Sequence, residues 1–435
     1  MYGYGLTPSV MNWVACSLMV RGINQIAAMP YLASDCGQHK ICCGTDISPR
    51  IPLWDAIPAL TSFWNWCGNF DAGALRPKVW VLIRLSQADV DRGESDADHR
   101  AFEEKALETV RMLESRQVFF RFADAADLDG KELPELLILL ENDAELAGKL
   151  RSLPCRVALG IPDDIDRYAE IGETSSSGCV TLPCRRTEGD ALMIFNPEPS
   201  EREFRFRSEE SWGEIMPPDP LPSRFSPLTH EKDLWTVSMP PGGTRILLRD
   251  GSTTPERKWE KIGTWTPVFT VKKTEKLVFS MRRATGFRSR NAVRKLPESG
   301  MYTDIEPDFS GRVFLSAELE IPEAGEYLLS FERIAHFARV WINGRFCGER
   351  AFAPWIFRGT LKTGKNRLDI VVSGSAGNAF RRFFAEKMEP AGWCNVFSGL
   401  ISRFAVDDAQ CGIGGGITLY RMSDGIGQCA DKEKK

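Results

Sequence analysis

Apolar and polar positions divide the chain into stretches of different period. Between residues 77 and 160, Val79-Trp80-Val81-Leu82-Ile83 and Leu136-Leu137-Ile138-Leu139-Leu140 are uninterrupted apolar runs of strand length. Val118–Phe122 and Arg156–Leu159 are further strand candidates. Phe102, Ala106, Val110 and Leu113 recur at helical spacing, which predicts an amphipathic helix from His99 to Arg116 with Asp96 or Asp98 as N-cap. A second helix from Asp143 to Ser152 completes the order β-α-β-β-α-β. That order predicts a small, mostly parallel α/β domain over 76–165.

After residue 175 the period changes to two. Ala191–Asn196, Glu203–Phe206 and Thr244–Leu248 predict short strands separated by Pro- and Gly-rich turns, an all-β unit over 166–255. Met216–Pro222 is a loop, because consecutive prolines cannot join a ladder. Arg257–Lys276, rich in Trp, reads as a connector. From about Ser299 to Met422 alternation is sustained, through Val313–Ile321, Tyr327–Phe331, Ala338–Ile342, Trp355–Phe357, Arg367–Val372 and Ile417–Tyr420. Asn343-Gly344 is a two-residue hairpin signal, and Lys362–Asn366 a second turn. About eight such strands predict a jelly-roll β-sandwich, in a domain assigned to 256–425, before a disordered tail at 426–435.

The first 75 residues do not make a complete domain. Val20–Ile26 reads as a short buried strand entering a loop. Pro49, Pro52 and Pro58 punctuate the chain before a helical segment with Trp54, Phe63, Trp64 and Trp66. This is the content of one or two βα units.

The 435 residues carry a net charge of −4, which supplies no basic field for nucleic acid. The basic run from Arg282 to Lys295 reads as a solvated loop. No stretch reaches the ~18 apolar residues of a membrane span, and no secretory leader is visible, so a cytoplasmic location is expected. The twelve cysteines are irregularly spaced and form no CxxC pair. Reduced, mostly buried thiols are expected, with zinc or a disulfide framework as the alternative. No phosphate-binding glycine motif and no GxSxG occurs. No cofactor is expected, although Asp304, Glu306 and Asp308 are acids of the kind that ligate calcium.

Phe309-Ser310-Gly311, then ARVWINGRFCG (Ala338–Gly348), then LKTGKNRLDIVV (Leu361–Val372), resemble the galactose-binding-like sugar-binding module of family 2 glycoside hydrolases. Together with VRGINQI, PKVWVLIRL and GDALMIFNPEP, they give the chain its likeness to the C-terminal portion of large α-L-rhamnosidase-like enzymes. The resemblance implies a multidomain α/β plus all-β protein: residues 1–75 a remnant of the C-terminal part of a (β/α)₈ barrel, then the α/β domain, the β-domain and the jelly roll. It also implies a carbohydrate ligand. A whole barrel needs about 250 residues. No catalytic carboxylate of the family therefore falls on a numbered position here.

Candidate site residues follow from position. Asp35, His39 and Asp46 follow the Val20–Ile26 segment, where the substrate-facing loop of a barrel belongs; each also reads as ordinary polar surface. Tyr302 and Trp355 lie at strand edges, where an aromatic ring can carry a sugar, and Asn378 and Arg381 follow a strand where they can bond hydroxyls. Trp341 reads as core, and Asn343-Gly344 as turn geometry alone. His99 is expected to be solvated, and His336 has no visible triad partner. Three functions are consistent with this pattern: a catalytically incompetent part of a glycoside hydrolase, a carbohydrate-binding scaffold, and an enzyme completed by a partner chain.

Overall fold

A computed structural model describes residues 6–27, 35–36, 46–69, 76–83, 96–124, 126–129, 132–140, 147–148, 150–169, 171–173, 178–186, 189–215, 228–249, 259–380 and 410–422. Among the described residues the chain is mostly β, in several sheets, with one small parallel α/β sheet and few helices.

Thr7 caps α1 (Pro8–Met19), its hydroxyl accepting from the Val10 amide at 3.3 Å, with Pro8 in the first turn. A single turn of 3-10 helix, Pro52–Ala56, leads into α2 (Ile57–Gly68). Cys16 and Met19 of α1 pack with Leu60, Phe63 and Cys67 of α2. The same core takes in Val180, Cys184 and Phe195 from the β-domain and Phe337 and Phe352 from the C-terminal sandwich. The helices thus join the two β-units. The strand expected at Val20–Ile26 is not formed. Val20 caps α1, Gly22 takes φ +91°, and the Ile23 amide donates to the Leu18 carbonyl at 3.2 Å, closing the helix end. Arg21 to Gln25 are exposed: with this much polar side chain the segment could not fill a strand buried on both faces.

The α/β domain follows the sequence pattern closely. β1 (Val79–Leu82), β2 (Phe120–Ala123), β3 (Leu136–Leu139) and β4 (Arg156–Leu159) pair in the order β2-β1-β3-β4, all parallel. Helix α3 (Asp96–Ser115) links β1 to β2 and lays Leu113 on the core. In the second predicted helix, residues 147–148 and 150 are helical, and Arg151 and Ser152 already form a turn.

The all-β unit contains β5 (Gly172–Glu173), β6 (Val180–Arg186), β7 (Gly189–Phe195), β8 (Arg202–Arg207), β9 (Trp212–Ile215), β10 (Thr229–Glu231), β11 (Leu234–Met239) and β12 (Thr244–Arg249). Two antiparallel sheets, β6-β7-β12-β9 and β10-β11-β8-β5, close on Leu192, Ile194, Phe204, Phe206, Trp235 and Leu247. Met216–Pro222 lies outside the described residues.

The sandwich is larger than expected. β13 (Trp259–Trp265), β14 (Thr270–Val278), β15 (Gly286–Lys295), β16 (Gly311–Ile321), β17 (Gly325–Ala335), β18 (Phe337–Ile342), β19 (Arg345–Arg350), β20 (Ile356–Leu361), β21 (Gly364–Ser373) and β22 (Gly412–Met422) make a four-stranded sheet, β13-β22-β17-β20. They also make a six-stranded one, β15-β14-β16-β21-β18-β19. The supposed connector is β13 and the start of β14: Trp265 packs on the sandwich core and β13 pairs with β22. From Gly286 onward the basic run is also strand, for β15 pairs with β14 along its length, while Arg282 and Arg283 lie in the bend before it. As an edge strand it leaves its cations in water, a charge pattern that suits an edge. Asn343 and Gly344 take φ +52° and +82°, the turn geometry expected between β18 and β19.

All eight described cysteines are free thiols. Burial pushes the Cys16, Cys184 and Cys411 thiols up to about 12 and Cys67 well above its usual value. Thiol titration of the native chain at pH 8 should therefore leave these four unreacted until denaturant is added. Rapid labelling of any of them, read by peptide mass mapping, would contradict their placement.

Candidate functional site

The residues singled out from sequence are mostly held inside the structure. The Asp35 carboxylate lies 3.9 Å from Arg50, and its carbonyl accepts from the Thr285 amide and hydroxyl at 2.6 and 2.5 Å. Asp46 is buried and accepts from the Ser48 amide and hydroxyl at 3.0 and 2.7 Å, a local turn. His39 and Arg381 lie outside the described residues. Tyr302 is fully buried; its hydroxyl accepts from Arg290 at 2.9 Å and donates to Glu306 at 3.2 Å. Trp355 belongs to the sandwich core. Asn378 is buried and donates to the Phe309 carbonyl at 2.9 Å. Tyr302, Trp355 and Asn378 are thus held within the packing of the sandwich and are not exposed strand edges. The acids proposed for calcium are engaged elsewhere. Glu306 and Asp308 each hold Lys276 at 2.9 Å, and Asp304 accepts from Ser299. Among the described residues no three metal-ligating side chains converge.

The strand period then reveals a surface that single residues did not. In β16, β21 and β18, Val313, Leu315, Leu368, Ile370 and Val340 point into the sandwich, so Phe314, Ser316, Asp369, Val371, Arg339 and Trp341 stand on the outer face of the six-stranded sheet. Trp341 is half-buried and tilts against the Phe346 ring at 5.4 Å between centroids. The expected core position falls to Val340.

Register aligns these outward residues across strands. Thr270 pairs with Ser316, Ser316 with Asp369, Asp369 with Trp341, and Trp341 with Phe346. A neighbouring row runs Lys273, Phe314, Val371, Arg339 and Glu349. Arg367 fixes the Asp369 carboxylate with contacts of 3.0 and 2.8 Å. Next to the first row an open cleft of about 560 Å³ lies over Thr270, Ser316, Glu318 and Arg367, walled by Trp265 and Val268.

The far end of the face is closed by the N-terminal segment. Asp55, in the 3-10 turn, accepts from Arg312 Nε and Nη2 at 2.5 and 2.9 Å and from the Ser373 hydroxyl at 2.6 Å. Arg312 also reaches Glu275 at 3.3 Å and lies 4.0 Å over the Phe287 ring. Burial works against the charge of Glu275, yet Lys273 and Arg312 outweigh it and hold the carboxyl below its usual range.

No protein-family model and no curated protein sequence matches the chain. Among solved structures, a rhamnosidase from Novosphingobium sp. PP1Y is similar with a TM-score of 0.60 and 13% identity over 97% of this chain. The chain spans 46% of that protein's length. At this identity the likeness is one of fold. A GH2 β-galacturonidase from Eisenbergiella tayi covers 38% of this chain and 25% of its own at TM-score 0.24 and 18% identity. A β-glucuronidase from Faecalibacterium prausnitzii covers 40% of this chain and 33% of its own at TM-score 0.23 and 14% identity. Those two overlaps carry no argument.

Proposed function

We propose that this chain is a non-catalytic, carbohydrate-binding part of a glycoside-hydrolase-like protein of α-L-rhamnosidase shape. The observation that carries the reading is the shared fold with a rhamnosidase along nearly the whole chain. In this reading α1 and α2 are the closing helices of a barrel-type unit that remain bonded to the β-units.

The electrostatics favour binding over cleavage. Glycoside hydrolysis uses two carboxyl groups, one of them kept protonated by a raised pKa. Glu275, one of the half-buried acids on the outer face, is shifted the opposite way, and Asp308 is likewise held low by Lys276. Each is paired to a cation and poorly suited to give up a proton at neutral pH.

The purified chain is expected to hydrolyse aryl α-L-rhamnosides no faster than buffer, while retaining immobilised glycans. Turnover that a single carboxylate substitution abolishes would overturn the non-catalytic reading.

A further inference from the structure

The row Thr270, Ser316, Asp369, Trp341 and Phe346 crosses five strands of one sheet, with the cleft at one end and an aromatic pair at the other. We propose that this row is a single binding track for a short oligosaccharide, one terminal ring seated in the cleft and later rings laid across Asp369 onto Trp341 and Phe346. The inference rests on the carbohydrate reading above and gives it a location and a ligand length.

Four strand spacings of about 4.8 Å separate Thr270 from Phe346, a span of ~19 Å. That is too long for one sugar ring and fits a chain of about three or four. The cleft's size is within the usual range for small-ligand pockets.

The chemistry along the row is that of a polyhydroxylated ligand. Half-buried Thr270 offers a hydroxyl that both donates and accepts, the largely buried Ser316 hydroxyl lies at the cleft wall, and Glu318 stands beside them. Asp369 supplies a carboxylate able to accept from two hydroxyls, and Arg367 keeps it in one orientation. Trp341 is half-buried and Phe346 is 47% exposed, so both rings keep surface for the apolar face of a pyranose.

A peptide is a poorer match. β16, β21 and β18 are interior strands, each paired on both sides, and β14 is paired to β15 and β16. Their backbone groups are taken up by the ladder, so strand addition could use only the β19 edge beside Phe346 and could not reach Thr270, Ser316 or Asp369. Recognition on this face has to run through side chains.

The test is a printed array of rhamnose-containing oligosaccharides of one to six rings, with cello- and xylo-oligosaccharides of the same lengths alongside, probed with the full chain. Retention should rise with length to about four rings and then level. Asp369→Ala should reduce retention by about tenfold or more for two rings and longer while sparing the monosaccharide, and Trp341→Ala should do so for three rings and longer while sparing the disaccharide. Both side chains face outward, so each variant should melt near the wild-type temperature. Length-independent retention, or wild-type retention by both variants, overturns the track and leaves the carbohydrate reading standing. A wild-type chain that retains no glycan overturns the carbohydrate reading itself.

Discussion

Asp55→Ala should lower the melting temperature of the sandwich by on the order of 10 °C and make the N-terminal segment sensitive to protease. The carboxylate takes three hydrogen bonds, two from Arg312 and one from Ser373, and both ion-pair partners are largely shielded, with side-chain exposures of 11% and 17%. Removing one member of a shielded pair strands the other, which typically costs about 3 kcal/mol, and a unit of this size loses roughly 2–4 °C per kcal/mol. Arg312 would keep, as its one ion pair among the described residues, the longer contact to Glu275 at 3.3 Å, beside its stack on the Phe287 ring. Asp55→Asn, which retains one acceptor oxygen, should lose less. In an Arg312→Met background, Asp55→Ala should cost little, because no stranded cation remains. Equal cost in both backgrounds, read from melting curves, would mean that the pair does not hold the segment. The pH dependence has a definite sign. Glu275 has its folded pKa below the ordinary value of 4.5, so its contribution is whole above that value and is lost as pH falls through the lower, folded one.

Much of the architecture was legible because local period and burial agree. In the α/β domain the two central parallel strands, β1 and β3, are buried on both faces, so apolar runs such as Leu136–Leu140 are unambiguous. In the sandwich, alternation at Val313–Ile321 and the Asn343-Gly344 turn marked strands and a hairpin almost to the residue. What failed did so where tertiary partners decide. Alternation says that Val340 and Trp341 face opposite ways, not which faces inward. Tyr302 and Trp355 look like aromatic edges until the opposing sheet covers them. β15 is an edge strand exposed along most of its length, so its arginines alternate with polar residues and no apolar period-two signal marks it. Val20–Ile26 carried branched residues at its ends, but Gly22 at positive φ turned the chain. The outer-face row could not be read from sequence at all. Its members span residues 270 to 369 and meet only through the register of five strands.

Gly300→Ala should prevent the sandwich from closing, whereas Gly344→Ala should cost only about 1–2 kcal/mol. Both glycines have positive φ, +74° and +82°, so both substitutions carry the strain of placing a side chain in the left-handed region. They differ in surroundings. A Cβ on Gly344 meets nothing within 4 Å, while one on Gly300 would lie 1.6 Å from the Ile413 carbonyl oxygen, a backbone atom. The two chains are tied at that point: the Ile413 amide donates to the Gly300 carbonyl at 3.0 Å, and the Tyr302 amide to the Cys411 carbonyl at 2.8 Å. Relief of the clash requires β22 to move off the turn that precedes β16, which would uncover Tyr302, Cys411 and Ile413 together. A loss above ~4 kcal/mol is expected, in the range reached only by a few disruptive mechanisms. Gly300→Ala should therefore be recovered mainly as insoluble protein, or as soluble chain with a collapsed near-ultraviolet circular dichroism signal. If both variants melted at the same temperature with unchanged spectra, β22 would not be seated against Gly300.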